Sequence, residues 1–387
     1  MRRTMCVLLV ILALLVPSVA VQAKKGDVGS GKRYMQWNSF VAGIHHGTQI
    51  SAEGALTLDP AALQTGTDTT GKYNGGTYWY GQYTAPAESI PFVEAIASWQ
   101  ANTPPGTWLE LELKALADTV WTKWYSMGVW LEGDDPFLRH SVSGQGDNYG
   151  YVATDTLVMS KPAGAVQARI TLFTTDPALS PTLRAYGISL VAGEDKPGVV
   201  PPAGLVSDLP VPMRSQMIYP DGGNVWCSPT STTMVLAYWG EVTGNAALIQ
   251  TVPAVVAGVW DYRYDGGGNW PFNTAYAATF GLEGKVTRLS SLAAAEPWTA
   301  AGVPVIASIA FKKGGLTGAP ISSTAGHLVV IRGFTAEGNV IVNDPAAPSD
   351  DTVRFVYDRL EFETAWLEAS NGTVYLIYPQ GWPVPTL

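Results

Sequence analysis

Apolar and charged residues alternate strictly through Leu109-Glu110-Leu111-Glu112-Leu113-Lys114. A period of two predicts a strand with one buried face and one wet face. Val166, Ala168, Ile170 and Leu172 alternate with Gln167, Arg169 and Thr171 in the same way. Thr103-Pro104-Pro105-Gly106, Gly133-Asp134-Asp135-Pro136 and Gly144-Gln145-Gly146-Asp147 punctuate the runs as turns. Short strands spaced like this, from about Tyr34 to Val191, predict an all-β sandwich or jelly roll over residues 34–192. Trp121, Trp124, Tyr125 and Trp130 are assigned to its core in preference to a ligand platform.

The period changes after Gly193-Glu194-Asp195-Lys196-Pro197-Gly198 and Pro201-Pro202, a Pro/Gly linker placed at 193–210. Beyond it, Met234, Val235, Leu236, Ala237, Tyr238 and Trp239 are apolar on nearly every side, which predicts a buried helix entered after Cys227. Pro229 sits just inside its start and Gly240 is read as its stop. Further helices are expected over Asn245–Val256, broken by Pro253, over Thr274–Phe280, and from Pro297-Trp298. Strands are expected at Val303–Ala310, Leu328–Ile331, Val340–Val342 and Thr373–Tyr378, with a hairpin turn over 335–339. A helix followed by a sheet predicts an α+β layout for residues 211–387.

The first 23 residues stand apart. Arg2 and Arg3 precede an apolar run from Val7 to Val16, and small-residue sites end at Ala20 and Ala23. This is the pattern of a secretory signal peptide, and the run is too short to span a bilayer. Lys24 to Lys32 is read as a flexible leader. Losing Arg2 and Arg3 takes the net charge from −9 to −11. An acidic protein of this kind is a poor binder of nucleic acid or anionic membrane. Cys6 leaves as well, so one cysteine, Cys227, remains in an exported chain. An odd cysteine in that setting points to a reactive thiol or intermolecular pairing.

Cys227 lies at the start of the buried helix, where the partial positive charge favours a thiolate. A thiolate nucleophile needs a base, a group that orients the base, and oxyanion donors. Of the four histidines, only His327 falls in the Cys227 half of the chain. Asn343-Asp344-Pro345 ends the next strand, and a hairpin would bring it toward His327. Either Asp344 or Asn343 would then accept the His Nδ1–H. Gln216 is a candidate oxyanion donor together with the Cys227 N–H. No metal motif, nucleotide loop or cofactor signature is found.

Val211-Pro212, Gln216, Trp226-Cys227-Ser228-Pro229-Thr230-Ser231 and Trp239-Gly240 resemble the start of the peptidase C39-like domain, a branch of the papain-like cysteine peptidases. Gly326-His327-Leu328-Val329-Val330-Ile331 and Val342-Asn343-Asp344-Pro345 resemble that family's His and Asp motifs, in the same order. The resemblance covers residues 211 to about 380, and the whole chain is similar to secreted bacterial proteins of the C39 family. It implies Cys227 as nucleophile, His327 as general base and acid, Asp344 as orienter and Gln216 as oxyanion donor, acting on a peptide or protein substrate. The transporter branch of the family carries membrane segments absent from this sequence, so its leader-peptide substrates are not carried over. Two rivals remain: a cell-wall peptide amidase or transpeptidase on the same fold, and a non-catalytic protein. In the latter the aromatic β domain would bind a cell-surface glycan.

Overall fold

The computed structural model describes the backbone of residues 24–27 and residues 31–193 and 200–387. The expected signal peptide, with Cys6, and residues 194–199 of the expected linker lie outside the described residues. Lys24–Asp27 forms strand β1, antiparallel to β2, so this part of the expected leader is ordered as strand.

Among the described residues, the regular elements of the N-terminal unit are all strands. They are β2 (Lys32–Trp37), β3 (Ile44–His46), β4 (Thr48–Ile50), β5 (Leu56–Leu58) and β6 (Gln64–Thr67). Next come β7 (Thr77–Thr84), β8 (Phe92–Asn102), β9 (Thr107–Ala117), β10 (Val120–Trp121) and β11 (Tyr125–Trp130). The set closes with β12 (Gly150–Ala153), β13 (Thr156–Ala163), β14 (Val166–Thr174) and β15 (Thr182–Val191). One sheet runs β1-β2-β15-β8-β13-β12, with β5 and β4 attached at β15; the other runs β10-β9-β14-β7-β3, with β11 on β9 and β6 on β7. The strict alternation explains how they meet. Leu109, Leu111 and Leu113 of β9 share a core with Ala95, Ala97 and Trp99 of β8. Tyr125 and Trp130 are core residues as expected, whereas Trp121 is exposed and Trp124 only half-buried.

The C-terminal unit is a seven-stranded antiparallel sheet with helices packed on it. Its strands are β16 (Ser207–Asp208), β17 (Leu282–Arg288), β18 (Val305–Phe311), β19 (Thr324–Phe334), β20 (Val340–Asn343), β21 (Arg354–Tyr357) and β22 (Thr373–Pro379). Its helices are α1 (Cys227–Thr243), α2 (Val252–Val259), α3 (Trp270–Thr279), α4 (Leu292–Ala300) and α5 (Arg359–Ser370). The strand order is β17-β22-β18-β19-β20-β21, and β16 adds to β19. Part of the expected linker is therefore bound, not a free spacer: Ser207 and Asp208 pair with Phe334 and Gly333.

Helix α1 crosses the core with every residue from Ser228 to Gly240 buried. It does not stop at Gly240. There a Cβ would lie 2.7 Å from Ile249 Cγ1, so glycine permits close packing. The stop is Gly244, at φ 70°. Pro253 opens α2 instead of breaking it, because the first turn needs no donor there. Two helices begin earlier than the prolines and small residues suggested. Asn269 caps α3 by accepting from Phe272 N–H, and Ser291 caps α4, which carries Pro297 inside it.

The two units share packing. Phe272 and Ala275 of α3 sit in the sandwich core, the Phe272 ring 5.3 Å from Trp130 and 6.1 Å from Trp99. Polar ties surround this plug. Arg288 Nη2 meets Glu94 at 2.6 Å, Arg139 donates to Ala257 O at 2.7 Å, and Ser141 N–H donates to Asp261 at 3.0 Å.

Candidate active site

Cys227 is the first residue of α1, preceded by Trp226 as an N-cap without a side-chain bond. Its N–H is one of the first-turn donors that a helix leaves unpaired. Ser228 Oγ and Tyr375 Oη lie 2.8 Å apart, and Ser231 donates to Leu328 O at 3.1 Å, so the helix tip is tied to the sheet beside His327.

His327 lies in β19, opposite Ile309 of β18. Val330 faces Asn343 across the β19–β20 hairpin, and this register brings Asp344 alongside the imidazole. His327 Nε2 is 2.7 Å from Asp344 Oδ1. The contact is through Nε2, not Nδ1 as expected, which leaves Nδ1 as the ring nitrogen not held by the carboxylate. Asp344 Oδ1 also accepts from Ala346 N–H at 2.9 Å, and Oδ2 accepts from Tyr357 Oη at 2.8 Å. The sequence reading missed Tyr357; nothing local marks a tyrosine 13 residues onward as a carboxylate partner. Asn343 is occupied elsewhere, donating to Val211 O and accepting from Arg332. The geometry thus separates Asp344 from Asn343.

The electrostatics follow. Burial alone would push the Cys227 thiol up; the His327 hydrogen bond and charge, with N–H groups of Leu328 and Ser228, bring it below its ordinary value. For His327 burial opposes the charged form, but the Asp344 carboxylate and the thiol outweigh it and raise the imidazole to about 10. Asp344 is also buried, yet the His327 charge and its three hydrogen bonds hold it below the ordinary carboxylate value. This arrangement favours a thiolate–imidazolium pair.

Gln216 is buried and lines the same cleft as Cys227 and His327. Its N–H donates to Pro345 O at 2.9 Å, the residue after Asp344. Its Oε1 has no hydrogen-bond partner among the described residues. The turn between Gln216 and Cys227 depends on Gly223, where a Cβ would lie 2.0 Å from Gln216 O.

The cleft encloses about 930 Å³ and is built by both units. The turn between β12 and β13 brings Thr154 and Asp155 to its wall, with Thr154 at φ 58°. Asp155 accepts from Trp270 N–H at 2.7 Å. Burial, and then the Asp261 charge, raise its carboxyl to about 6 against the hydrogen bonds that lower it. Opposite stands the loop Tyr264–Gly268, pinned by Asn273, whose Nδ2 donates to Gly267 O and Asn269 O at 2.8 Å each. The sequence reading did not foresee Asp155, because only the tertiary fold carries it into the other half of the molecule. Among the described residues no group of three His, Cys, Asp or Glu side chains is placed to hold a metal ion.

Comparison with known proteins agrees in both halves. Residues 208–374 match the family described as Peptidase_C39 like, and residues 31–190 match the Peptidase C39 N-terminal domain. The resemblance to C39-like peptidases is borne out, and the family supports a peptidase. A crystal structure described as a C39-like peptidase from Bacillus anthracis is 18% identical, with a TM-score of 0.30, covering 44% of this chain and 96% of that one. A family two carbohydrate esterase from Cellvibrio japonicus is 12% identical at TM-score 0.18, covering 49% of this chain and 44% of that one. The xylanase 10B CBM22-1-GH10 modules of Clostridium thermocellum are 9% identical at TM-score 0.14, covering 46% and 33%. Scores this low carry no argument. No curated protein matches.

Proposed function

We propose that this protein is an exported cysteine peptidase that hydrolyses amide bonds by acyl transfer on a papain-like fold. The observation that carries the reading is the convergence of Cys227, His327 and Gln216 on one open cleft, with Asp344 buried behind the imidazole at 2.7 Å. Cys227 attacks the scissile carbonyl, forming the S–C bond. His327 then gives its proton to the leaving amine as the C–N bond breaks. Asp344 holds the imidazole, while Gln216 Nε2–H and the Cys227 N–H receive the oxyanion. Water, deprotonated by His327, releases the acyl group. Export rests on the N-terminal apolar run. Among the described residues no helix is long and apolar enough to cross a membrane.

The test is product analysis with casein and with peptidoglycan stem peptides, together with intact-mass detection of an acyl-enzyme. New amino termini from casein, absent with Cys227→Ala, are expected. Cleavage or crosslinking of stem peptides alone would favour the amidase or transpeptidase reading. Full turnover by Cys227→Ala would falsify both.

A further inference from the structure

The second sheet of the N-terminal unit turns one face outward, away from the core that Leu109, Leu111, Ile170 and Leu172 fill. Register aligns its outward residues in rows. Gln82, Thr171 and Glu110 form one row; Thr84, Arg169 and Glu112 form the next. A groove of about 260 Å³ runs over them. Tyr78 and Tyr80 stand at one end of the groove. Beyond Arg169 lie Trp124, 4.5 Å from its guanidinium, and Trp121, 4.8 Å from Lys114 Nζ.

We propose that this groove binds a neutral oligosaccharide chain, at a site separate from the catalytic cleft. Every charge in it is already paired: Lys72 Nζ with Glu110 at 2.6 Å, and Arg169 Nε with Glu112 at 2.6 Å. An ionic ligand would have to break those pairs. Vicinal hydroxyls need not, because each both donates and accepts. Glu112 Oε1 and the Arg169 Nη groups have no hydrogen-bond partner among the described residues beyond the Nε–Oε2 pair, so acceptor and donor stand side by side. The Tyr78 and Tyr80 rings that line the groove offer flat apolar faces with a polar edge, suited to the C–H face of a sugar ring, whereas the Trp124 ring is covered by Arg169 and Lys114.

The groove is also built in advance. The loop from Asp68 to Gly76 winds round the Asp68 carboxylate, which accepts from the N–H groups of Thr70, Lys72, Tyr73 and Gly75. Burial opposes this charge, but those bonds hold the carboxyl at about 2. Lys72 and Tyr73 are thereby aimed at Glu110, with the Tyr73 hydroxyl donating at 2.5 Å. The cleft beside Cys227 takes its N-terminal wall from the β12–β13 turn of the other sheet. Saccharide binding therefore does not depend on the peptidase reading.

The experiment is native affinity electrophoresis of the full chain through gels containing hydroxyethylcellulose, xylan or laminarin, followed by calorimetric titration with oligosaccharides of the retarding polymer. Retardation by at least one of the three is expected, unchanged in Cys227→Ala. Glu112→Gln and Tyr80→Ala should each weaken it at least tenfold. Gln82→Ala, which gives up one bond to Thr171, keeps the test sharp if either of those fails to fold. Its thiol alkylation rate at Cys227 should equal that of wild type. Unretarded migration in all three gels overturns the proposal, as does wild-type retention by folded Gln82→Ala and Tyr80→Ala. Retardation by an anionic polysaccharide in place of the neutral ones overturns it too.

Discussion

Asp344 grips His327 through Nε2 at 2.7 Å, so that Nδ1 remains for Cys227. The neighbouring Asn343 turns the opposite way, to Val211 O and Arg332. The two residues should fail differently when changed. Asp344→Asn should lower kcat by about 10²-fold to 10⁴-fold, by loosening the imidazole and its tautomer. Asn343→Ala should cost stability while leaving the His327 ring resonances where they are. Steady-state kinetics, thermal melts and imidazole NMR separate the two.

The thiol and imidazole set a pH window. Cys227 is lowered, so its thiolate persists to pH values where an ordinary thiol is protonated. His327 is raised to about 10, so its imidazolium persists until then. The stability gained from the raised imidazole is complete below about 6.5 and fades as pH climbs toward 10. Thiolate absorbance at 240 nm should therefore appear at lower pH than for a free cysteine. In His327→Ala it should shift upward, because burial is then opposed only by the N–H groups of Leu328 and Ser228. An unshifted titration in that variant would count against the ion pair.

Gly223→Ala should damage catalysis from outside the reacting groups. The new methyl would lie 2.0 Å from Gln216 O and must displace that segment. Loss of one oxyanion donor costs about 10²–10³ in kcat. Gln216→Ala should show that loss with little change in melting temperature. Gly223→Ala should show it with a lower one.

Asp155 offers a sign test on the wall of the cleft. Its carboxyl is raised to about 6, mainly by burial, so folding favours the protonated form. That contribution is present below about 3.9 and is lost as pH rises through 6. Asp155→Asn keeps an acceptor for Trp270 N–H without the charge. Its melting temperature should exceed that of wild type at pH 7.5 and match it at pH 4. Asp155→Ala should raise KM, because the Trp270 end of the loop loses its anchor.

Phe272→Ala tests whether the two units melt as one. The ring fills space between Trp99 and Trp130, so its removal should cost about 3–5 kcal/mol. Calorimetry should show a single transition shifted down in both halves. A transition that moves only for the C-terminal unit would argue against shared packing.

Local pattern carried much of this. Alternation at Leu109–Lys114 and Val166–Leu172 marked strands whose odd and even residues do face apart. The apolar run from Met234 to Trp239 marked a buried helix, because burial on all sides erases the polar stripe. Boundaries were less legible. Gly240 and Pro297 look like stops and starts, yet lie inside helices where packing overrides propensity.

By itself the sequence determined the β-rich front and the mixed second half, the cysteine at a helix start, and the histidine and aspartate as candidates on successive strands, while β17, β21 and α5 went unread. Tertiary structure alone decided which imidazole nitrogen meets the carboxylate, that Tyr357 and not Asn343 supports Asp344, and that Asp155 reaches the cleft from the other unit. The reason is range. Periodicity reports only what a residue's near neighbours require. Hairpin register and the seating of Phe272 between the two units bring together groups tens to hundreds of residues apart.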